Sequence, residues 1–335
     1  MMAADLFIPV YRSLLSDISL AERLLPEYDL PPGATCHFWN QSINDTYLVR
    51  AGTTRWMLRI GPAQRRSDEQ VAAEIELLHF LHDRGLHVPQ PIVLRDGGVV
   101  RRLAAAEGPR QAVLFTYVPG VGYTPTATNS YRYGQAIAHF HSATDSFPHT
   151  RPIWRFETTE LLDRPLELLH PWLANWPADY AFLAALVGRL RPLLAGLPQA
   201  APIYGLCHGD LNNGNFHLID DDHWALLDFE YIGYGWRVFD IATFFNNQLN
   251  QEGYSTQTTG LLDAFLAGYQ SIRPLSAMER SMLPAFVALR QLWLWGISMT
   301  NRPMVGLGVF EQWMREISLP TLRAWVDEAL ERAEY

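Results

Sequence analysis

The chain has 335 residues, is 48% hydrophobic and 18% charged, and carries a net charge of −9. Such a chain can bury the cores of two lobes or domains and is not a disordered segment. Its acidity argues against a nucleic-acid partner gripped across a broad basic face, and suits a cationic one. The two cysteines, Cys36 and Cys207, are too few and too far apart for a disulfide framework or a four-ligand zinc site, which points to a reducing, cytoplasmic compartment. All 26 basic residues are Arg, so any role that lysine usually takes must fall to Arg. The stretch "MMAADLFIPVYRSLL" has no basic n-region and Asp5 interrupts it, so it does not read as a secretory signal. The apolar stretch "AFVALRQLWLWGISM" carries Arg290 and Gln291 and reads as a buried core helix, with no membrane partner expected.

In chain order, residues 14–28 are expected to be helical. "TYLVR" (46–50) and "RWMLRI" (55–60) read as strands joined by the hairpin signal "AGTT". In the second strand Trp56, Leu58 and Ile60 share one face, and Met57 and Arg59 the other. A helix begins near Ser67, where "SDEQ" makes a capping box with Gln70, and Val71, Ile75 and Leu78 form its apolar stripe. Glu74 lies within that stripe, whereas Glu69 and Glu76 point away. A carboxylate on a buried face needs a cation, and Arg59 on the nearby strand is a candidate. "VPQPIVL" follows, then the strand "QAVLFTYVPG", which breaks at Pro119-Gly120 and marks a lobe boundary. Helices are expected over 130–142, 158–172 and 179–195, a β-rich interruption over 203–230, and helices again over 238–249, 258–272, 279–299 and 309–332. His139 and His141 are expected on a helix with one of them buried and hydrogen-bonded. Most of Trp154, Trp172, Trp176, Trp293 and Trp295 should be core, with some able to form an aromatic wall for a substrate. Glu230, Tyr231 and Tyr234 are candidates to face an acceptor cleft.

The interruption carries "HGDLNNGN" (208–215) and "LLDFE" (226–230). Asp210 and Asn215 are five residues apart in a loop, and Asp228 ends an apolar strand thirteen residues after Asn215. A hairpin with this spacing can bring loop and strand end together. Two carboxylates and an amide oxygen make a hard-oxygen site, suited to Mg²⁺ rather than zinc. The alternative is a polar turn with an unrelated strand-end Asp.

The motif pair, with the continuation "GYGWRVFDIATFF", resembles the aminoglycoside phosphotransferase/choline kinase superfamily, which includes homoserine kinase type II and bacterial stress-response kinases. The likeness runs from about residue 35 to 245. It implies an α+β, bilobal protein-kinase-like fold, with a small β-rich N-lobe (1–117), a large mainly helical C-lobe (118–335) and ATP between them. It implies an ATP- and Mg²⁺-dependent kinase that moves the γ-phosphoryl group to an alcohol. Asp210 would be the catalytic Asp, His208 a loop brace, and Asn215 and Asp228 the metal ligands. Arg59 would hold phosphate and Glu74 would pair with it. The main chain of Thr116, Tyr117 and Val118 would hold adenine, and Asp240 would buttress the catalytic loop. Ser42 and Asn44 would serve the nucleotide loop, although a plain hairpin turn is the other reading of them.

Three departures stand out. Arg59 stands where lysine is usual, Phe229-Glu230 follows the metal Asp where Phe-Gly is familiar from protein kinases, and "WNQSINDTY" lacks a glycine-rich pattern. The expected acceptor is a small molecule such as homoserine, an amino alcohol or an aminoglycoside. A Ser/Thr protein kinase and a nucleotide-binding pseudokinase are the alternatives.

Overall fold

The computed structural model describes residues 6, 8–148, 150–221, 223–253, 255–302 and 306–330. Part of the N-terminal stretch and the last two positions of the helix expected over 309–332 lie outside them. The chain divides into two compact units. One comprises residues up to Val71 together with Pro89–Val118. The other comprises Ala72–Val88, Pro119–Arg302 and the chain from Gly306.

The first unit is built on an antiparallel sheet of five strands, β1 (Thr35–Gln41), β2 (Asp45–Ala51), β3 (Thr54–Ile60), β4 (Arg101–Ala105) and β5 (Gly108–Thr116), in the order β1-β2-β3-β5-β4. The β2–β3 hairpin pairs Ala51 with Thr54, as the "AGTT" turn requires. Trp56, Leu58 and Ile60 are buried on one face with Tyr47, Val49 and Leu114. Helix α1 (Asp17–Arg23) covers that face through Leu20 and the following Leu24. It is shorter than the helix expected over 14–28, and a 3₁₀ turn, Leu25–Glu27, completes the segment.

Strand β4 has no counterpart among the expected elements. Its sequence, RRLAA, is poor in β-branched residues, and its pairing follows from the tight turn that sets Ala105 opposite Gly108. "VPQPIVL" forms no strand, making only an isolated bridge of Pro91 to Phe115 and one of Leu94 to Tyr28.

Helix α2 (Asp68–His82) opens on the expected capping box: the Ser67 amide donates to Gln70 Oε1 at 3.0 Å, and the Gln70 amide to Ser67 Oγ at 3.2 Å. Val71, Leu78 and Glu74 are buried, and Leu77 and Leu81 extend the stripe. Ile75 is only half-buried.

The second unit is mainly helical. It contains α3 (Ala127–Ala143), α4 (Arg164–Leu169), α5 (Pro177–Ala195), α6 (Val238–Glu252), α7 (Thr256–Gln270) and α8 (Ala277–Thr300), then a helical run from Leu307 to Leu330. Two small sheets interrupt the helices. One is β6 (Val121–Gly122), β9 (Phe216–Leu218) and β10 (Trp224–Leu226); the other is β7 (Trp154–Phe156), β8 (Tyr204–Cys207) and β11 (Gly233–Trp236). Helices α3 and α7 touch through their main chains. A Cβ added at Gly268 would sit 1.9 Å from the Tyr131 carbonyl oxygen, and one at Gly134 would sit 2.0 Å from that of Phe265. Among the described residues no helix is long and apolar enough to cross a membrane.

Candidate active site

Strand β8 delivers the loop 208–215, and two buried acids and bases hold its start. Asp240, on the first turn of α6 and fully buried, accepts hydrogen bonds from the amides of His208 (2.7 Å) and Gly209 (2.9 Å). His141 of α3 meets the same carboxylate through Nε2 at 3.0 Å, and its Nδ1 lies 2.9 Å from the Tyr269 hydroxyl of α7. Burial pushes His141 down to about 4 despite the upward pull of Asp240, so at neutral pH it is an uncharged donor. Burial would raise Asp240, but the His141 hydrogen bond and the Gly209 amide hold it below its ordinary value. Gly209 has φ +81°, and a Cβ there would lie 2.3 Å from the Tyr231 carbonyl oxygen, so the loop can turn here only with glycine.

His208 is also fully buried. Its Nε2 lies 3.0 Å from the Leu227 carbonyl, which accepts, and its Nδ1 takes the Asp210 amide at 3.4 Å. Burial lowers its pKa, while the charges of Asp240, Asp210 and Glu74 pull the other way. It links the loop to the β10 side of the hairpin. The Leu227 amide completes that link by donating to the Asn215 carbonyl at 2.9 Å. Asp228 therefore leaves the strand beside Asn215, in a left-handed conformation with φ 59°.

Asp210 retains 20% side-chain exposure while both its oxygens are bonded. Oδ1 accepts from Arg290 Nη2 at 2.8 Å, and Oδ2 from Asn212 Nδ2 at 3.0 Å and Asn215 Nδ2 at 3.2 Å. Asn215 Nδ2 also reaches the Asp210 carbonyl at 2.8 Å. Asn215 thus uses its amide nitrogen inside the loop and keeps its amide oxygen as the end suited to a cation. Together with the Asp228 carboxylate this donor set is all hard oxygen, and it fits a divalent ion of the magnesium or calcium type. Among the described residues no group of three or more His, Cys, Asp and Glu could hold a metal. His139 is exposed and separate from the buried His141.

In the first unit, Arg59, Arg65, Arg66, Asn44 and Gln111 line a niche of about 20 Å³. The Arg59 guanidinium lies 4.9 Å from the Phe115 ring centroid. The end of β3 is fixed by fully buried Arg110, which donates to the carbonyls of Gly61 (2.8 Å) and Ile60 (3.0 Å) and pairs with Asp45 at 2.7 Å. Arg12 also pairs with Asp45.

Asn44 is buried, but Ser42 is exposed in the turn and its amide donates to the Asn44 carbonyl at 3.0 Å. The Thr116 amide bonds the Gln90 carbonyl at 2.8 Å, while its hydroxyl accepts from the Gln90 amide at 2.9 Å. The Tyr117 amide reaches the Arg55 carbonyl at 3.4 Å. Of these three residues, only Val118 has an amide with no main-chain partner among the described residues.

The family described as the phosphotransferase enzyme family matches residues 36–280. The chain belongs to that family. An uncharacterized protein of Synechocystis sp. is 33% identical over 298 residues, covering 88% of this chain and 81% of its own. A homoserine kinase of Mesorhizobium japonicum is 33% identical over 248 residues, 72% of each chain. The solved structure of an amicoumacin kinase, in complex with AMP-PNP, Ca²⁺ and its ligand, matches 94% of each chain with a TM-score of 0.73 at 20% identity, which shows a shared kinase-like fold. The protein is a small-molecule phosphotransferase with an alcohol group as acceptor.

In this phosphotransferase the second unit holds His208, Asp210, Asn215, Asp228, Asp240 and Glu74, the last of them 1% exposed. The first unit holds Arg59, Asn44, Ser42, Thr116, Tyr117 and Val118. Glu230 and Tyr231 are buried and Tyr234 is half-buried. Tyr231 packs on Trp293 at 5.3 Å and on Trp154 at 6.0 Å, whereas Trp172 packs on Trp176 and Phe310. The residue that the sequence reading passed over is Arg290. An Arg within an apolar helix needs an anion as much as Glu74 needs a cation, and that signal was present in "AFVALRQLWLW".

Proposed function

We propose that this phosphotransferase moves the γ-phosphoryl group of magnesium-bound ATP to the hydroxyl of a small amino alcohol, with homoserine-like compounds first among the candidates. The observation that carries the reading is Asp210: its carboxylate is held at both oxygens yet touches solvent, in the same loop as Asn215 and beside the strand end that bears Asp228. The homoserine kinase relative supports the acceptor class. The net charge of −9 favours an acceptor with an amine.

In this mechanism Asp210 aligns the acceptor hydroxyl. A lone pair of that oxygen forms the new P–O bond, and the bond from the γ-phosphorus to the β–γ bridging oxygen breaks, with its electron pair leaving on ADP. The hydroxyl proton passes to the Asp210 carboxylate. Asn215 and Asp228 would hold a divalent cation, whose chemistry is to offset phosphate charge. Arg59, with Arg65 and Asn44 in the niche, would bind phosphate oxygens, and the Val118 amide would meet adenine.

An ADP-release screen tests this with L-homoserine, 1-amino-2-propanol, ethanolamine, choline, an aminoglycoside and a generic protein substrate. Magnesium-dependent turnover is expected with a small amino alcohol. Turnover with the protein substrate alone, or with none of the panel, contradicts the reading. Asp228→Ala is expected to remove the magnesium-dependent part of the melting-temperature rise that ATP gives; an unchanged magnesium dependence removes Asp228 from the metal site.

A further inference from the structure

We infer that Arg290 is a positioning residue for phosphoryl transfer, clamping the Asp210 carboxylate to its own main chain; this rests on the role given to Asp210 above. Arg290 lies mid-way along α8 and is 3% exposed. A buried guanidinium is tolerated only where its donors are matched. Here two different nitrogens do two different jobs. Nη1 donates to the Gly209 carbonyl at 2.7 Å, and Nη2 to Asp210 Oδ1 at 2.8 Å. The first bond fixes the peptide that leads into Asp210, and the second fixes its carboxylate. Together they set the direction in which the side chain leaves the loop.

The guanidinium is itself held from behind, 4.6 Å from the Trp293 ring centroid and 5.8 Å from that of Phe239. The Asp210 oxygen not taken by Arg290 is tethered by Asn212 and Asn215. Both oxygens of the carboxylate are thus tethered.

A chemical consequence follows. A carboxylate held in one direction presents its free edge to the acceptor hydroxyl in a fixed orientation, so Asp210 aligns the attack without having to reorient first. Lysine could not substitute, because one ammonium nitrogen presents no planar fork spanning both acceptors.

The test uses the full chain with whichever alcohol of the panel gives the highest turnover. Arg290→Ala is expected to lower kcat by roughly 10²-fold with the KM for ATP within about threefold, and millimolar guanidinium is expected to restore at least about tenfold of the loss. Arg290→Lys keeps the charge and should still lower kcat by about tenfold or more, which decides the matter if the Ala variant does not fold. A kcat within about threefold of wild type in either variant overturns the inference, as does a loss in a normally melting Ala variant that guanidinium leaves untouched. Asp210→Asn is measured alongside. If it retains turnover, or if no alcohol is turned over, the reading of Asp210 falls and Arg290 with it. If Asp210→Asn is dead and the Arg290 variants are normal, only Arg290 falls.

Discussion

Asp210→Asn is expected to lower kcat by about 10³-fold or more while nucleotide affinity stays within about threefold. The substitution is nearly isosteric, but it reverses one end of the side chain. Oδ1 accepts from Arg290 and Oδ2 accepts from two amide nitrogens, those of Asn212 and Asn215. An Asn at this position must turn an NH₂ group toward one of those donors, and it cannot take the hydroxyl proton at all. Nucleotide contacts lie with other residues in the proposed mechanism, so binding should survive. Steady-state kinetics and a nucleotide titration on the same preparation check both halves. Residual turnover within about tenfold of wild type would show that Asp210 is not the group that receives the proton.

Asp240→Ala should be the most destabilising single change in the second unit, by about 3–5 kcal/mol at pH 7. The side chain is fully buried and accepts from the amides of His208 and Gly209 and from His141. Truncation leaves all three donors without an acceptor in a place that water does not reach.

The same cluster gives a pH dependence whose sign can be worked out. His141 is lowered from 6.5 to about 4, so between those values the unfolded chain binds the proton and the folded one does not. Stability is therefore complete above about pH 6.5 and falls as pH drops toward 4, by roughly 3 kcal/mol over the window. Asp240, held below its ordinary value, adds a further loss only at lower pH. Urea unfolding of wild type and variant at pH 7 and pH 5 measures both effects. Equal wild-type stability at the two pH values would rule out a neutral, buried His141. A loss under about 1 kcal/mol in the variant would remove Asp240 as the support of the loop.

What could be read in the sequence was what depends on near neighbours. The Ser67–Gln70 capping box spans three residues, and the alternation of Trp56, Leu58 and Ile60 spans four; both are present as expected. The phosphotransferase family itself was legible from "HGDLNNGN" and "LLDFE", because each motif is a short contiguous stretch. The parts that escaped are pairings between distant positions. Arg290 and Asp210 are 80 residues apart, and Arg110 and Asp45 are 65 apart; no local pattern joins them. Strand β4 escaped for another reason, since its Arg and Ala residues carry no strand preference and the tight turn alone sets its place. The main-chain contact expected at Thr116 came from the resemblance alone; the pairing of its amide with the Gln90 carbonyl is again a link between distant positions.

The glycine contacts between α3 and α7 bear on how this enzyme can be re-engineered. With the Gly268 and Gly134 positions set against the opposite helix's carbonyls, there is no layer of side chains to absorb a mismatch. The two helices also share the His141–Tyr269 bond, which backs the Asp240 support of the 208–215 loop. Anyone grafting a new specificity from a relative must transplant the two helices as one cassette. A chimera that exchanges a single member of the pair would misalign a backbone, and with it the carboxylate on which the loop rests.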